Sequence, residues 1–302
     1  MTSSRTNGTV ATGPVATLAL AAMPAVFVLL WSTGFIGAKL GLPYAEPITF
    51  LIIRFASVTV LLALFAALTR APWPKSWAEA GHIALAGLLL QAVYLGGVFA
   101  SIYHGVPAGI SALIVGIQPL LVAAAAGPFL GEQVTARQWA GLVLGLGGVV
   151  LVVWTKLDLG AGSALGYGLS VLGLLGITLG TLYQKRFCPR LDLRSGNAIQ
   201  YAVTTLALAP FALAFETRQV IWSGEFLFAL GWLCIVLSLG AISLLFVLIR
   251  RGAAAQVSSL FFLVPPCTAV VAYFLFGETL SLLALFGMGV TMLGVALVNL
   301  KR

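Results

Sequence analysis

A single internal repeat constrains this chain more than any other property: the sequence recurs once at a constant offset of 146 residues. Lys39 recurs as Lys185, and the run Pro119, Gly131, Glu132, Gly148 recurs as Pro265, Gly277, Glu278, Gly294. Gly34 and Gly180, Gly141 and Gly287, Leu151 and Leu297, and Thr135 and Ser281 keep the same spacing, so no insertion separates the copies. Each copy holds five long apolar segments. Because five is odd, a first copy that enters a membrane from one side obliges the second to enter from the other, giving two halves of inverted topology.

Composition supports the membrane reading independently. The chain is 61% hydrophobic and 8% charged, with a mean hydropathy of +1.09, well outside the range of soluble domains. Ten stretches are long enough to span a bilayer as helices: roughly 15–38, 48–68, 82–104, 106–130, 138–154, 163–185, 198–215, 226–249, 253–276 and 281–300. They are continuously apolar rather than alternating, which excludes barrel strands. The expected fold is therefore an all-α integral membrane protein of ten transmembrane helices in two inverted five-helix repeats. A tail over 1–14 precedes one membrane domain, with repeats over 15–154 and 163–300.

The formal charge of +8 is informative by position. With the N-terminus placed inside, the inner ends carry Arg5, Arg70, Lys75, Arg137, Lys185, Arg186, Arg190, Arg194, Arg250, Arg251, Lys301 and Arg302. Only Lys39, Lys156 and Arg218 fall outside, and twelve against three places both termini in the cytoplasm. Topology alone accounts for the basic cluster from Lys185 to Arg194, so no nucleic-acid partner is expected. The partners implied are the lipid bilayer and a small-molecule substrate.

The motif search narrows function by exclusion. The chain has no Gly-Lys-Ser/Thr phosphate loop, which disfavours ATP-driven transport by this chain alone. Cys188, Cys234 and Cys267 lack metal-ligand spacing and read as packing residues; no cofactor or metal is expected. No paired carboxylates and no His/Asp/Glu cluster fall inside a segment, which argues against the alternative of another class, an intramembrane lipid-modifying enzyme or protease. Gly131-Glu132 and Gly277-Glu278 end the fourth and ninth segments. Gly suits the tight reversal there, and Thr135 with Gln138 has the form of a capping box opening the next helix. A gating role is considered for Glu132 and Glu278, and Pro119 and Pro265 interrupt helix hydrogen bonding where hinges would be useful.

Trp31-Ser32 and Lys39 in the first segment, Arg54 in the second, Pro119 through Gly131-Glu132, then Trp139, Gly141 and Gly148, with the echo from Pro265 to Gly294, resemble the drug/metabolite transporter superfamily, EamA type. The resemblance covers nearly the whole chain and is nearest to the YddG-type bacterial exporters of aromatic and other apolar amino acids. It implies a basket of ten helices in the bacterial inner (plasma) membrane. Segments 1, 3, 4, 6, 8 and 9 would line a central cavity, 2 and 7 would be peripheral, and 5 and 10 would buttress the helices they follow.

Helical spacing adds candidates for the cavity wall: Trp31 and Phe35 with Phe27 on segment 1, and Gln91 and Tyr94 with Val98 and Ser101 on segment 3. Gln118 with Ser111 and Val115 on segment 4, and Thr178, Thr181 and Lys185 on segment 6, complete the set. Polar groups in hydrocarbon are costly, so these faces should point inward. Aromatic surface with sparse neutral polar groups suits a modest apolar molecule. Phosphorylated substrates need cations deep in the cavity. Lys39 and Lys185 sit at segment ends, where they can snorkel, and Arg54 belongs to a segment expected to be peripheral. The reading is a secondary or facilitative exporter of amino acids, aromatic or apolar ones favoured; the alternative within the superfamily is an exporter of amphipathic cationic drugs.

Overall fold

The computed structural model describes residues 14–154, 162–276 and 280–300, and among these the regular structure is helical throughout. Ten helical segments follow one another: α1 (Pro14–Gly41), α2 (Pro47–Leu68), α3 (Trp77–Tyr103), α4 (Gly109–Leu130), α5 (Ala136–Val153), α6 (Ala164–Phe187), α7 (Leu193–Phe215), α8 (Gly224–Arg251), α9 (Ala254–Leu275) and α10 (Leu282–Asn299). Nine of these, α2 to α10, are long and apolar enough to cross a membrane; α1 contributes a shorter apolar stretch, Ala22–Ala38.

Helix boundaries arise from local chemistry. Ser76, Ser163, Ser223 and Ser281 each accept a backbone N–H of the following turn and so open α3, α6, α8 and α10. The expected reversal after α4 is present: Gly131 adopts φ 70°, a conformation that costs glycine little, and closes the helix. The expected capping box at Thr135 and Gln138 is present too.

The largest helix pair is α5 with α10, and its seam is glycine. A methyl group placed on Gly141 would lie 2.7 Å from the Gly294 carbonyl, and one on Gly148 would lie 2.7 Å from the Gly287 carbonyl. Gly141 and Gly287, and Gly148 and Gly294, are repeat mates, so the crossing exchanges with itself under the 146-residue offset. Close backbone approach through small residues is how helices associate where lipid offers no hydrophobic drive. These two helices therefore pack on each other, rather than each only on the helix before it.

Helices α2 and α7 form the second pair. Their outer faces expose Leu64, Phe65, Leu206 and Phe211, as expected of peripheral helices. The inner face of α2 nevertheless buries Phe50, Leu51, Arg54 and Phe55 completely or nearly so. The expectation that segment 2 stays away from the interior does not hold for that face.

The helix ends gather in two layers. At one, the Tyr44 carbonyl accepts from Ile221 N–H at 2.9 Å, and Glu46 accepts from Thr217 Oγ1 at 2.7 Å and from the Thr217 and Arg218 amides. The Thr217 hydroxyl holds the Glu46 carboxyl below the usual carboxylate range. At the other, Ser195 donates to the Pro72 carbonyl at 2.5 Å, Arg186 to Phe129, and Arg137 to Leu300. There Asp192, the repeat mate of Glu46, caps α7 and pairs with Arg194 at 2.8 Å; that contact likewise lowers its pKa.

Candidate functional site

Two of the cavity-lining helices depart from regular α-geometry at repeat-equivalent places. In α3 residues Leu88–Val93 form a π-helical turn, and in α8 so do Leu233–Ala241, which overlap the first at the 146-residue offset. A π-turn adds a residue to the helical turn and so rotates the remainder of the helix about its axis; such turns recur at functional sites. Here they set Tyr94 on one side, and Leu233 and Leu237 on the other, toward the same interior space. Helices α4 and α9 break at matching positions also. Helix α4 is interrupted at Gly116-Ile117 before Pro119, and α9 passes through a 3₁₀ turn, Leu260–Leu263, before Pro265. A proline in the first turn of the resumed helix lacks only a donor that would have no partner there.

The space between these elements is a cavity of about 490 Å³, its open mouth included, between α1, α2, α3 and α8. Trp31, Arg54, Tyr94, Val98 and Leu237 form its wall, and Ala38, Ile102 and Leu233 extend it toward the Gly41 end. A narrow recess shares Trp31, Tyr94 and Ile242 and adds Gln91, Ile177 and Phe246. Trp31, Phe27 and Phe261 form an aromatic cluster with centroids 5.2 to 5.4 Å apart behind the wall. Ser32 ties α1 to this region, donating to the Val28 carbonyl at 2.7 Å and approaching that of Val264 at 3.3 Å; Thr268 returns a bond to Ser32 O at 3.2 Å.

Arg54 is the residue that sequence reasoning set aside. Its guanidinium is buried, with 3% of the residue exposed, yet it borders the cavity. Both Nε and Nη2 donate to one acceptor, Ser238 Oγ, at 3.1 and 3.0 Å, and the group sits 5.6 Å from the centroid of the Phe55 ring. Among the described residues no carboxylate pairs with it. Around it stand buried polar atoms without partners: Gln91 Oε1 and the Tyr201 hydroxyl, the latter an electrostatic neighbour of Arg54, Ser238 and Gln91. The sequence signal was the charge itself, since a cation mid-span marks an interior path by default.

The other expected residues divide between three places. Trp31, Gln91 and Tyr94 meet at the narrow recess, and Trp31 and Tyr94 also border the cavity. Gln118 donates Nε2 to Ser258 Oγ at 3.2 Å, Thr178 bonds back to Leu174 of its own helix at 2.7 Å, and Thr181 is buried with its hydroxyl unpartnered; none of the three borders the two spaces described above. Ser101, Ser170 and Ser111 bond to one another at 2.6 and 2.9 Å, fastening α3, α4 and α6 together. Lys185 lies away from the cavity: it forms an ion pair with Glu132 and donates to the Gly252 carbonyl at 2.6 Å, while Glu132 Oε2 accepts from Ala254 N–H at 2.7 Å. Those four residues stitch the ends of α4 and α6 to the α8–α9 connection. The side chains of Phe35 and Lys39, and all of Glu278, lie outside the described residues. Among the described residues no cluster of His, Cys, Asp or Glu could hold a metal ion.

Known proteins share both the sequence and the shape. A Bacillus subtilis (strain 168) protein, "Uncharacterized transporter YvbV", is 28% identical over 290 residues, covering 92% of this chain and 90% of its own. The Escherichia coli (strain K12) "Uncharacterized inner membrane transporter YedA" is 27% identical, with 91% and 88% covered. "Uncharacterized transporter sll0355" of Synechocystis sp. is 26% identical, with 90% and 87% covered. A solved structure titled "Crystal structure of protein" superposes with a TM-score of 0.77 at 18% identity, over 93% of this chain and 96% of that one, and so shares its fold. The family pattern matches twice, over residues 16–154 and 164–300, which together are nearly the whole chain. This multi-pass membrane protein belongs to the EamA-like transporter family.

Proposed function

We propose that the protein is a secondary or facilitative carrier that moves small metabolites with an apolar or aromatic body, amino acids foremost, out of the cytoplasm by alternating access. The observation that carries this reading is the cavity wall: Trp31, Tyr94 and Val98 offer apolar and aromatic surface, while Gln91 and Arg54 supply sparse polar groups. That mixture fits a molecule with a modest apolar body and few hydrogen-bonding groups. In this reading α1 is the tenth span, the two halves are inverted repeats, and the self-exchanging glycine seam of α5 and α10 is their pseudo-symmetric joint.

The basic residues Arg70, Arg137, Lys185, Arg186, Arg190, Arg250 and Arg251 share the layer at which Glu132 and Lys185 meet, which makes that layer cytoplasmic. In this reading the contacts of Glu132 and Lys185 shut the cytoplasmic side, and the cavity serves the opposite face. Purified protein in proteoliposomes should carry labelled aromatic or apolar amino acids saturably, and should not carry sugar phosphates or cationic dyes. Saturable sugar-phosphate exchange without amino-acid flux contradicts the substrate assignment.

A further inference from the structure

We propose that Arg54, presented by Ser238, is the docking point for the carboxylate of the transported molecule. The proposal rests on the carrier reading above and adds the chemical group that the cavity selects. A guanidinium carries five donors in a planar fork and retains its charge, so a buried arginine is ordinarily matched by a carboxylate or by several carbonyls. Here two donors converge on one hydroxyl, a neutral group that accepts hydrogen bonds but supplies no counter-charge. Among the described residues no acid neutralises it.

A charge held in that way in a membrane interior is expensive, and the expense is understandable where a ligand supplies the missing anion. Geometry favours a carboxylate over a phosphate. Among the described residues Arg54 is the only cationic side chain lining the two adjoining spaces, and the rest of their walls is mostly aromatic or aliphatic. One fixed positive charge and one planar fork match a monoanion of bidentate shape, whereas a dianionic phosphate would need further cations.

Trp31 and Tyr94 belong to both spaces and place aromatic surface beside Arg54. The assignment therefore describes a site with one anion-binding group beside an aromatic and aliphatic wall, which is the polarity of a carboxylate with an apolar body.

Thermal melting of the detergent-solubilised full chain tests the site without presupposing flux. The probes are L-phenylalanine, phenylacetate, phenylethylamine and inorganic phosphate, each with the wild type, R54Q, R54K and S238A. Both carboxylates should raise the wild-type Tm and the amine and phosphate should not. R54Q should abolish the carboxylate shift while its own unliganded Tm equals or exceeds that of the wild type, because an uncompensated buried charge has been removed. R54K should retain a shift weakened roughly tenfold in the concentration required, since a point charge replaces the fork. S238A should weaken it similarly.

Stabilisation by phenylethylamine alone, by phosphate alone, or by phenylacetate equally in R54Q and wild type would overturn the proposal. An unliganded R54Q that melts far below wild type would also do so, since it would make the arginine a structural clamp between α2 and α8. The carrier reading is judged separately, by flux. Carboxylate binding through Arg54 without any flux removes the carrier and leaves the anion site; flux of L-phenylalanine that is unchanged in R54Q removes the anion site and leaves the carrier.

Discussion

Trp31 and Tyr94 each border both adjoining spaces, and each is more than nine-tenths buried, so neither ring can be cut back without emptying the wall. Replacing either by Ala removes an apolar contact on the order of 1–3 kcal/mol if the ring fully engages the substrate. Concentration-dependent efflux should weaken roughly tenfold or more while folded yield in detergent is largely kept; unchanged kinetics in both variants would assign these rings to packing alone. Both residues were legible in the sequence because helical spacing put them on stripes with other inward-facing groups. Arg54 was legible as a charge but not as part of the cavity wall, since the direction in which a helix face points depends on neighbours that spacing cannot supply. Lys185 shows the converse: its position at a helix end was readable, while its partner Glu132 lies across two helices and is a matter of tertiary packing.

At the scale of elements, caps and turns were readable because their chemistry is local: Gly131, Thr135 and Gln138 act within seven residues of one another. The π-turns were not, because nothing in Leu88–Val93 or Leu233–Ala241 distinguishes a five-residue hydrogen-bond step from a four-residue one. The α5–α10 seam gives the sharpest structural contrast. A Cβ on Gly294 would lie 2.4 Å from the Gly145 amide nitrogen, whereas one on Gly289 of the same helix meets no atom within 4 Å. G294A should therefore cost about 1–3 kcal/mol and lower the detergent Tm, and G289A should stay within about 0.5 kcal/mol of wild type.

The two end caps make a second contrast at this scale. Glu46 and Asp192 both titrate below their ordinary values in the folded chain, so their stabilisation is complete above the unfolded carboxylate range, near pH 4, and is lost as pH falls through the lower folded values. Tm should decline on acidification below about pH 4, and the double variant E46Q/D192N should show a shallower decline from a lower starting value. An identical pH profile in the variant would mean that these carboxylates are not held in the folded state.

For the molecule as a whole, the odd number of segments per repeat was the strongest signal in the sequence, because it restricts topology without reference to any side chain. The family match over both halves and the seam that maps onto itself agree with that duplication. What the repeat could not disclose is the junction made by Glu132, Lys185, Gly252 and Ala254, residues from both halves that the repeat does not pair with one another.

The central claim is that the halves open alternately around the Trp31–Tyr94 cavity, and cysteine crosslinking combined with flux tests it most directly. In a background lacking Cys188, Cys234 and Cys267, one pair replaces Gln133 and Ala253 across the closed end. A second replaces Ile102 and Leu233 on the wall toward the opposite mouth. The Gln133–Ala253 pair should crosslink readily in unliganded protein, and oxidation should abolish efflux from proteoliposomes until a reductant restores it. The Ile102–Leu233 pair should crosslink when the protein opens toward the cytoplasm and should block flux equally. Undiminished transport with the Gln133–Ala253 bridge fully formed contradicts the account, because the substrate would then be crossing by a route that never opens at that end.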